Sequence, residues 1–183
     1  MSSPSNQSQP AGDELELVEL GALSRREWIE LTQREPDTFG RSTAGMIYRD
    51  KELHVAWRSS DGRLVGALGV TVVTVEVGGG APFDVVGMGS LIVRRDHRGR
   101  GLSLRLSDAA REREKALGPD IAMIFCEQNL VEWHMSRGYL PIDAPVSVDQ
   151  PDGRVVMPIP ALWRPIRPSE WPPGDVEVQG FPF

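Results

Sequence analysis

The stretch "RRDHRGRG" places four arginines and two glycines within the eight positions from Arg94 to Gly101, and a leucine-rich run follows at once. It stands between an apolar strand pattern, "SLIV", and a helix pattern, "LSLRLSD". Such a junction presents unpaired backbone N–H groups and the positive end of a helix dipole. Gly99 and Gly101 carry no side chain to keep a phosphate off the backbone, and Arg98 and Arg100 add charge around it. The pattern reads as a seat for an anion, a pyrophosphate above all, with a solvated basic loop as the alternative. Two familiar phosphate loops are excluded. The string GxxxxGK[ST] does not occur, and "GRGLSL" has Leu104 where GxGxxG needs its third glycine.

Other reactive side chains are few. The single cysteine, Cys126, excludes an intramolecular disulfide and any multi-cysteine metal site. It reads as a buried thiol, since a covalent acyl-enzyme would need an activating base such as His134. His54 sits inside "LHVAW" and His97 in the basic loop; neither has a metal partner in the pattern, so no metal is expected.

The elements that must position the loop alternate along the chain. "LELVEL" (15–20) reads as a strand, and Ser24 with Glu27 forms a capping box for a first helix in "SRREWIELTQRE". After an irregular connection at 36–45, "ELHVAWRSSDGRLVGALGVTVVTVEV" reads as a hairpin turned at Asp61-Gly62, and "FDVVGMGSLIV" (83–93) as the next strand. In the helix after the loop, Leu102, Leu106, Ala109, Ala110, Arg113 and Leu117 share one face, with Arg113 contributing its aliphatic stem. Gly118-Pro119 ends that helix. "IAMIF" (121–125) is a buried strand, "NLVEWHMSRG" a short helix, and "YLPIDAPVSVD" and "GRVVMPIP" supply two last strands. This order implies an α/β chain of the α+β type, a mixed and mostly antiparallel sheet of about six to seven strands with helices on both faces.

Three regions follow: a polar tail at 1–12 expected to be disordered, a domain at 13–160, and a proline- and aromatic-rich tail at 161–183 packed on it. The prolines of the last region argue against regular helix or central strand. Its Trp163, Trp171, Phe181 and Phe183 argue against free solvent, and Val176 and Val178 could add a short edge strand. Asp175, Glu177 and the Phe183 carboxylate would then bring negative charge toward a substrate cleft. The net charge of −6 and pI near 5.1 argue against nucleic-acid or membrane partners. No signal peptide and no apolar run of membrane-spanning length is read, so a cytoplasmic protein is expected. A homodimer is left open.

"VRRDHRGRGLSLRL" resembles the acetyl-CoA loop of the GNAT superfamily of N-acetyltransferases, in which Arg98, Gly99, Arg100, Gly101, Leu102 and Ser103 occupy the [QR]-x-x-G-x-[GA] positions. Ser103 replaces the usual glycine or alanine. "ELHVAWRSSDGRLVGALGV" is similar to that family's second and third strands, and "NLVEWHMSRGYLPI" to its "fYxxxGF" helix and following strand. The long hairpin, "SRGYLP" and "GDV" are similar to aminoglycoside 2'-N-acetyltransferases. The resemblance implies the GNAT fold over roughly 13–160, with acetyl-CoA and a small amine as substrates. Pantetheine would pair with the backbone of Leu91, Ile92 and Val93, and the pyrophosphate with residues 98–103. The position that often holds a proton-donating tyrosine carries His134. The aminoglycoside-like branch has a carboxylate near the end of the fourth strand, where this chain has Gly89; Glu127 is the substitute, ahead of Asp84 and Glu76. Two other readings remain at this stage: an acyl-CoA-binding protein without turnover, and an acyltransferase with a different donor.

Overall fold

The computed structural model describes residues 14–35 and 43–183. The tail expected at 1–12 and residues 36–42 of the irregular connection lie outside these. Three α-helices, α1 (Arg25–Thr32), α2 (Leu102–Leu117) and α3 (Val131–Met135), accompany ten strands among the described residues. The strands are β1 (Leu15–Leu20), β2 (Leu53–Ser59), β3 (Leu64–Val77), β4 (Phe83–Val93), β5 (Ile121–Phe125), β6 (Leu140–Pro141), β7 (Val146–Gln150), β8 (Gly153–Val156), β9 (Ala161–Pro165) and β10 (Val176–Val178).

All ten strands belong to one sheet, with the order β6-β9-β5-β4-β3-β10-β7-β8 and with β1 and β2 branching from β3. The branch exists because β3 is long. Its first half pairs β2 from Leu53↔Val70 to Arg58↔Leu64, and its last residues pair β10 along the same edge. Only β4–β5 and β7–β10 are parallel pairs.

Local chemistry explains the helix ends. Ser24 accepts the Glu27 N–H, and the Glu27 carboxylate accepts the Ser24 N–H at 2.9 Å, closing the expected capping box. α1 packs Leu31 against Ala56, Leu64 and Ile92. α2 packs Leu102, Leu106 and Ala110 against Val55, Trp57, Val65 and Leu68. Val55 and Ala56 are neighbours on one strand and point to opposite faces, so the two helices cover opposite faces of the sheet. No helix among the described residues is long and apolar enough to cross a membrane.

Three expectations need correction. Arg113 is exposed and pairs with Glu19; the residue turned inward there is Glu114, fully buried and ion-paired with Arg164 of β9. The row 102, 106, 110 continues at spacing four to 114, and a buried arginine makes a carboxylate tolerable at that place. The prolines at 160–183 do not exclude interior strands: β9 lies between β5 and β6. Pro160 precedes that strand and Pro165 ends it, so the ladder N–H groups of residues 161–164 survive. The Val176–Val178 segment is not an edge, for it lies between β3 and β7. These insertions raise the strand number to ten.

Candidate active site

The site begins with a defect in β4. Opposite β3, Ala67 pairs with Ile92 and Gly69 with Gly89, so Ser90 and Leu91 face the single residue Leu68. This is a β-bulge, and Ser90 carries it in a left-handed conformation with φ 56°. The parallel pairing of β4 with β5 stops at Met88↔Ile124, and β4 runs on to Val93 without that neighbour. The two strands part, and a cavity of about 880 Å³ opens between them. Its wall includes Gly89, Ser90, Leu91 and Val93 of β4, and Ile124 to Glu127 at the end of β5.

The basic loop forms one end of this cavity. After Val93 a 3-10 turn spans Arg95–His97, then Gly99 and Gly101 take φ of 77° and 72° and α2 begins. Gly101 caps α2 without any side-chain hydrogen bond. A Cβ built at either glycine would meet nothing within 4 Å. The glycines therefore keep open a space above the first turn of α2, where backbone N–H groups and the helix dipole favour an anion.

The arginines do something other than expected from composition. Arg94 pairs with Asp96 at 2.7 Å, Arg95 with Glu35 at 3.1 Å, and Arg98 with Glu35 at 2.5 Å. Arg98 also donates to the Val93 carbonyl at 2.9 Å. Glu35 is held below the usual carboxylate range by the Arg98 hydrogen bond and then by the charges of Arg98 and Arg95. Much of the loop's charge is thus neutralised inside the protein. The wall of the cavity on this side is formed by His97, Arg98, Gly99, Gly101, Leu102 and Ser103.

His134 and Glu127 line the same cavity. The His134 ring stands edge-on to Trp133, with centroids 4.7 Å apart, and to Tyr139 at 5.6 Å. Burial, followed by the charges of Arg137 and Arg111, pushes its pKa down to about 4. It is therefore a neutral imidazole near pH 7. Burial, and then the Glu127 charge, push the Cys126 thiol up to about 11, so this thiol is not a nucleophile at neutral pH. Tyr48, which lines the cavity with Glu127, is raised by burial first and also by the Glu127 charge.

Of the residues singled out from the sequence, Leu91, Val93, Arg98, Gly99, Gly101, Leu102, Ser103, Glu127 and His134 share this cavity. Ile92 and Arg100 are not in its wall. The Ile92 side chain packs under α1. Asp84 bonds Thr74 at 2.7 Å and is also outside the wall. Sequence reasoning missed Tyr48, Ser90 and Tyr139. For Phe183 it foresaw only a charge directed at the cleft; the structure shows the residue itself in the wall. The available signal was the glycine pair Gly87 and Gly89 in a strand, which marks a close approach by another group.

A glycine-lined helix start and a pair of parted parallel strands thus meet in one cavity of an α+β sheet. The model of the acetyltransferase (GNAT) domain matches residues 29–137, more than half of the chain, and the chain belongs to that family. No curated protein matches it in sequence. Among solved structures, the GNAT family N-acetyltransferase YhbS of Escherichia coli, in complex with CoA, has a TM-score of 0.60 at 15% identity. That alignment covers 92% of this chain and 93% of the other. Escherichia coli ElaA gives 0.51 at 16% identity, over 82% and 99%. The N-acetylglutamate synthase of Neisseria gonorrhoeae, complexed with coenzyme A and N-acetyl-glutamate, gives 0.52 at 14%, over 82% of this chain and 35% of that one. At these identities the likeness is one of fold.

Proposed function

We propose that this protein transfers an acetyl group from acetyl-CoA to the primary amine of a small molecule, by direct attack in a ternary complex. One observation carries this reading: a single cavity joins the open start of α2 to the gap between β4 and β5. The backbone of residues 98–103 holds the pyrophosphate, and the unpaired edge of β4 at Leu91, Ile92 and Val93 receives the pantetheine amides as a further strand would. The amine nitrogen attacks the thioester carbonyl; the C–N bond forms, the C–S bond breaks, and nitrogen gives up one proton as sulfur gains one. Glu127, in the cavity wall with Tyr48, takes the amine proton. His134 steadies the leaving thiolate by a hydrogen bond from its neutral N–H; the thiolate then takes its proton from water, and Glu127 returns the amine proton to water.

Isothermal titration with acetyl-CoA, followed by CoA thiol release against a panel of amines, tests the proposal. Amine-dependent thiol release is the expected result. Binding without release under any amine would favour the second reading, a protein that binds acyl-CoA without turnover. The bare Gly89 and the uncharged His134 are the observations on its side.

A further inference from the structure

Position 89 raises a question that the loop does not answer: why glycine stands where a carboxylate could have served. A Cβ at Gly89 would come within 2.8 Å of the main-chain carbonyl carbon of Phe183 and 3.0 Å of its oxygen. At Gly87 it would come within 2.8 Å of the Phe183 ring. The two glycines are a notch in β4, and residue 183 fills it. Phe183 is 3% exposed, lines the cavity, and lies 4.9 Å from the Phe125 ring across the gap between the strands.

The segment leading to Phe183 is anchored well away from the loop of residues 98–103. β10 is inserted between β3 and β7. Arg49 then takes hold of the following residues: its N–H donates to Pro182 at 2.8 Å, its Nε to Phe181 at 3.0 Å and its Nη2 to Gln179 at 2.7 Å. Asp149 accepts the Gly180 N–H at 2.9 Å. The residues just before Phe183 are thus held by hydrogen bonds, and Phe183 itself is seated by packing.

The chemistry of that wall is one-sided. Phe125, Ile159 and Phe183 belong to one apolar cluster and all line the cavity. Tyr48 and Glu127 complete this end. Glu127 is the one acidic side chain among the described lining residues; of the arginines there, Arg98 and Arg137 are already paired with Glu35 and Asp108. A polycation would bring several ammonium groups to one acidic side chain and would leave the rest against apolar carbon.

We propose that Phe183, seated in the Gly87–Gly89 notch at the end of a segment held by Arg49, sets acceptor specificity, selecting a primary amine with one positive charge and an apolar body. The inference rests on the acetyltransferase reading and names its substrate class. The ring of Phe183 and that of Phe125 take the apolar body; Glu127 and the main-chain oxygen of Phe183 take the ammonium hydrogens. A polycationic aminosugar, the acceptor that the aminoglycoside resemblance implies, is the wrong shape of charge for this pocket.

The test compares 2-phenylethylamine with spermidine in the wild type, Phe183→Ala and Gly89→Ala, with acetyl-CoA binding followed by titration. Phe183→Ala removes the ring; Gly89→Ala keeps it but forces residue 183 out of its seat. The wild type should favour 2-phenylethylamine at least about tenfold in kcat/KM, the scale that apolar pocket contacts supply. Each variant should lower that ratio about tenfold through KM, with acetyl-CoA affinity within about twofold of the wild type. Preference for spermidine, turnover of neither amine, or a ratio unchanged in both variants would overturn this inference while leaving acetyl-CoA binding intact. Failure of the wild type to bind acetyl-CoA would overturn the acetyltransferase reading itself. Should Gly89→Ala not fold, Phe183→Ala alone decides.

Discussion

His134 gives the sharpest expectation, because the structure changes what this residue can do. A histidine at the position of a proton-donating tyrosine invites the idea of an imidazolium acid. Burial, with Arg137 and Arg111 nearby, sets its pKa near 4, so only about one molecule in a thousand carries the imidazolium at pH 7. The neutral ring still offers one N–H to a developing thiolate, and removing one such donor costs about 10²-fold in turnover. His134→Phe should therefore lower kcat by about that factor while acetyl-CoA affinity stays the same; His134→Tyr should recover part of the loss. Proton NMR, with His134→Phe used to assign the signal, should show a titration midpoint near 4. Stability follows the same sign. The unfolded chain binds a proton near pH 6.5 and the folded one only near 4, so stability is full above pH 6.5 and falls as pH drops through that window. The ring is only half-buried, so the loss is about 1–2 kcal/mol after screening, and His134→Phe should lack it. A midpoint above about 6 refutes the electrostatic argument, and equal turnover in all three proteins refutes the role.

Lys51, only 5% exposed, is lowered to about 8 by burial first, with Arg49 also lowering it against Asp50 and Glu52. Between pH 8 and 10.5 the unfolded chain holds a proton that the folded one has released, so stability rises with pH there; Lys51→Met should gain up to about 3 kcal/mol at pH 7 by chemical denaturation, a gain that vanishes above pH 10.5. Gly101→Val should fold, since its Cβ meets open space, apart from about 1–2 kcal/mol of left-handed strain; acetyl-CoA affinity should fall at least about tenfold by titration, and unchanged affinity would remove the pyrophosphate from that loop. Arg164→Met leaves Glu114 buried without its partner and should cost about 3–5 kcal/mol in denaturant unfolding, whereas Glu114→Leu with Arg164→Met should restore most of it.

Much of the fold can be read where short-range chemistry decides it. The Ser24 capping box, the Asp61-Gly62 turn, the bounds of β4 and the α2 stripe from Leu102 to Ala110 depend on residues a few positions apart. The failures lie where distant residues compensate for a local cost. Glu114 turns inward only because Arg164 arrives from β9. Pro160 and Pro165 look prohibitive until the strand is seen to fit between them. Ser90 takes a left-handed bulge that no glycine announces.

The candidate site divides along the same line. Its loop end is legible because a ligand held by backbone leaves a composition: two glycines in left-handed turns ahead of an uncapped helix. The arginines beside them were the weaker part of that signal, for Glu35 and Asp96 already absorb Arg94, Arg95 and Arg98. The proposed acceptor end leaves almost no composition. It consists of Tyr48, Glu127 and Phe183 from three separate parts of the chain, and its clearest trace is a subtraction, the side chains missing at Gly87 and Gly89. A missing carboxylate at position 89, taken alone, argues for lost catalysis. Set against Phe183 at 2.8 Å, it shows instead that the space is occupied from the other side. The cost of removing Phe183 from that notch should then appear in the KM of the amine and not in the binding of acetyl-CoA.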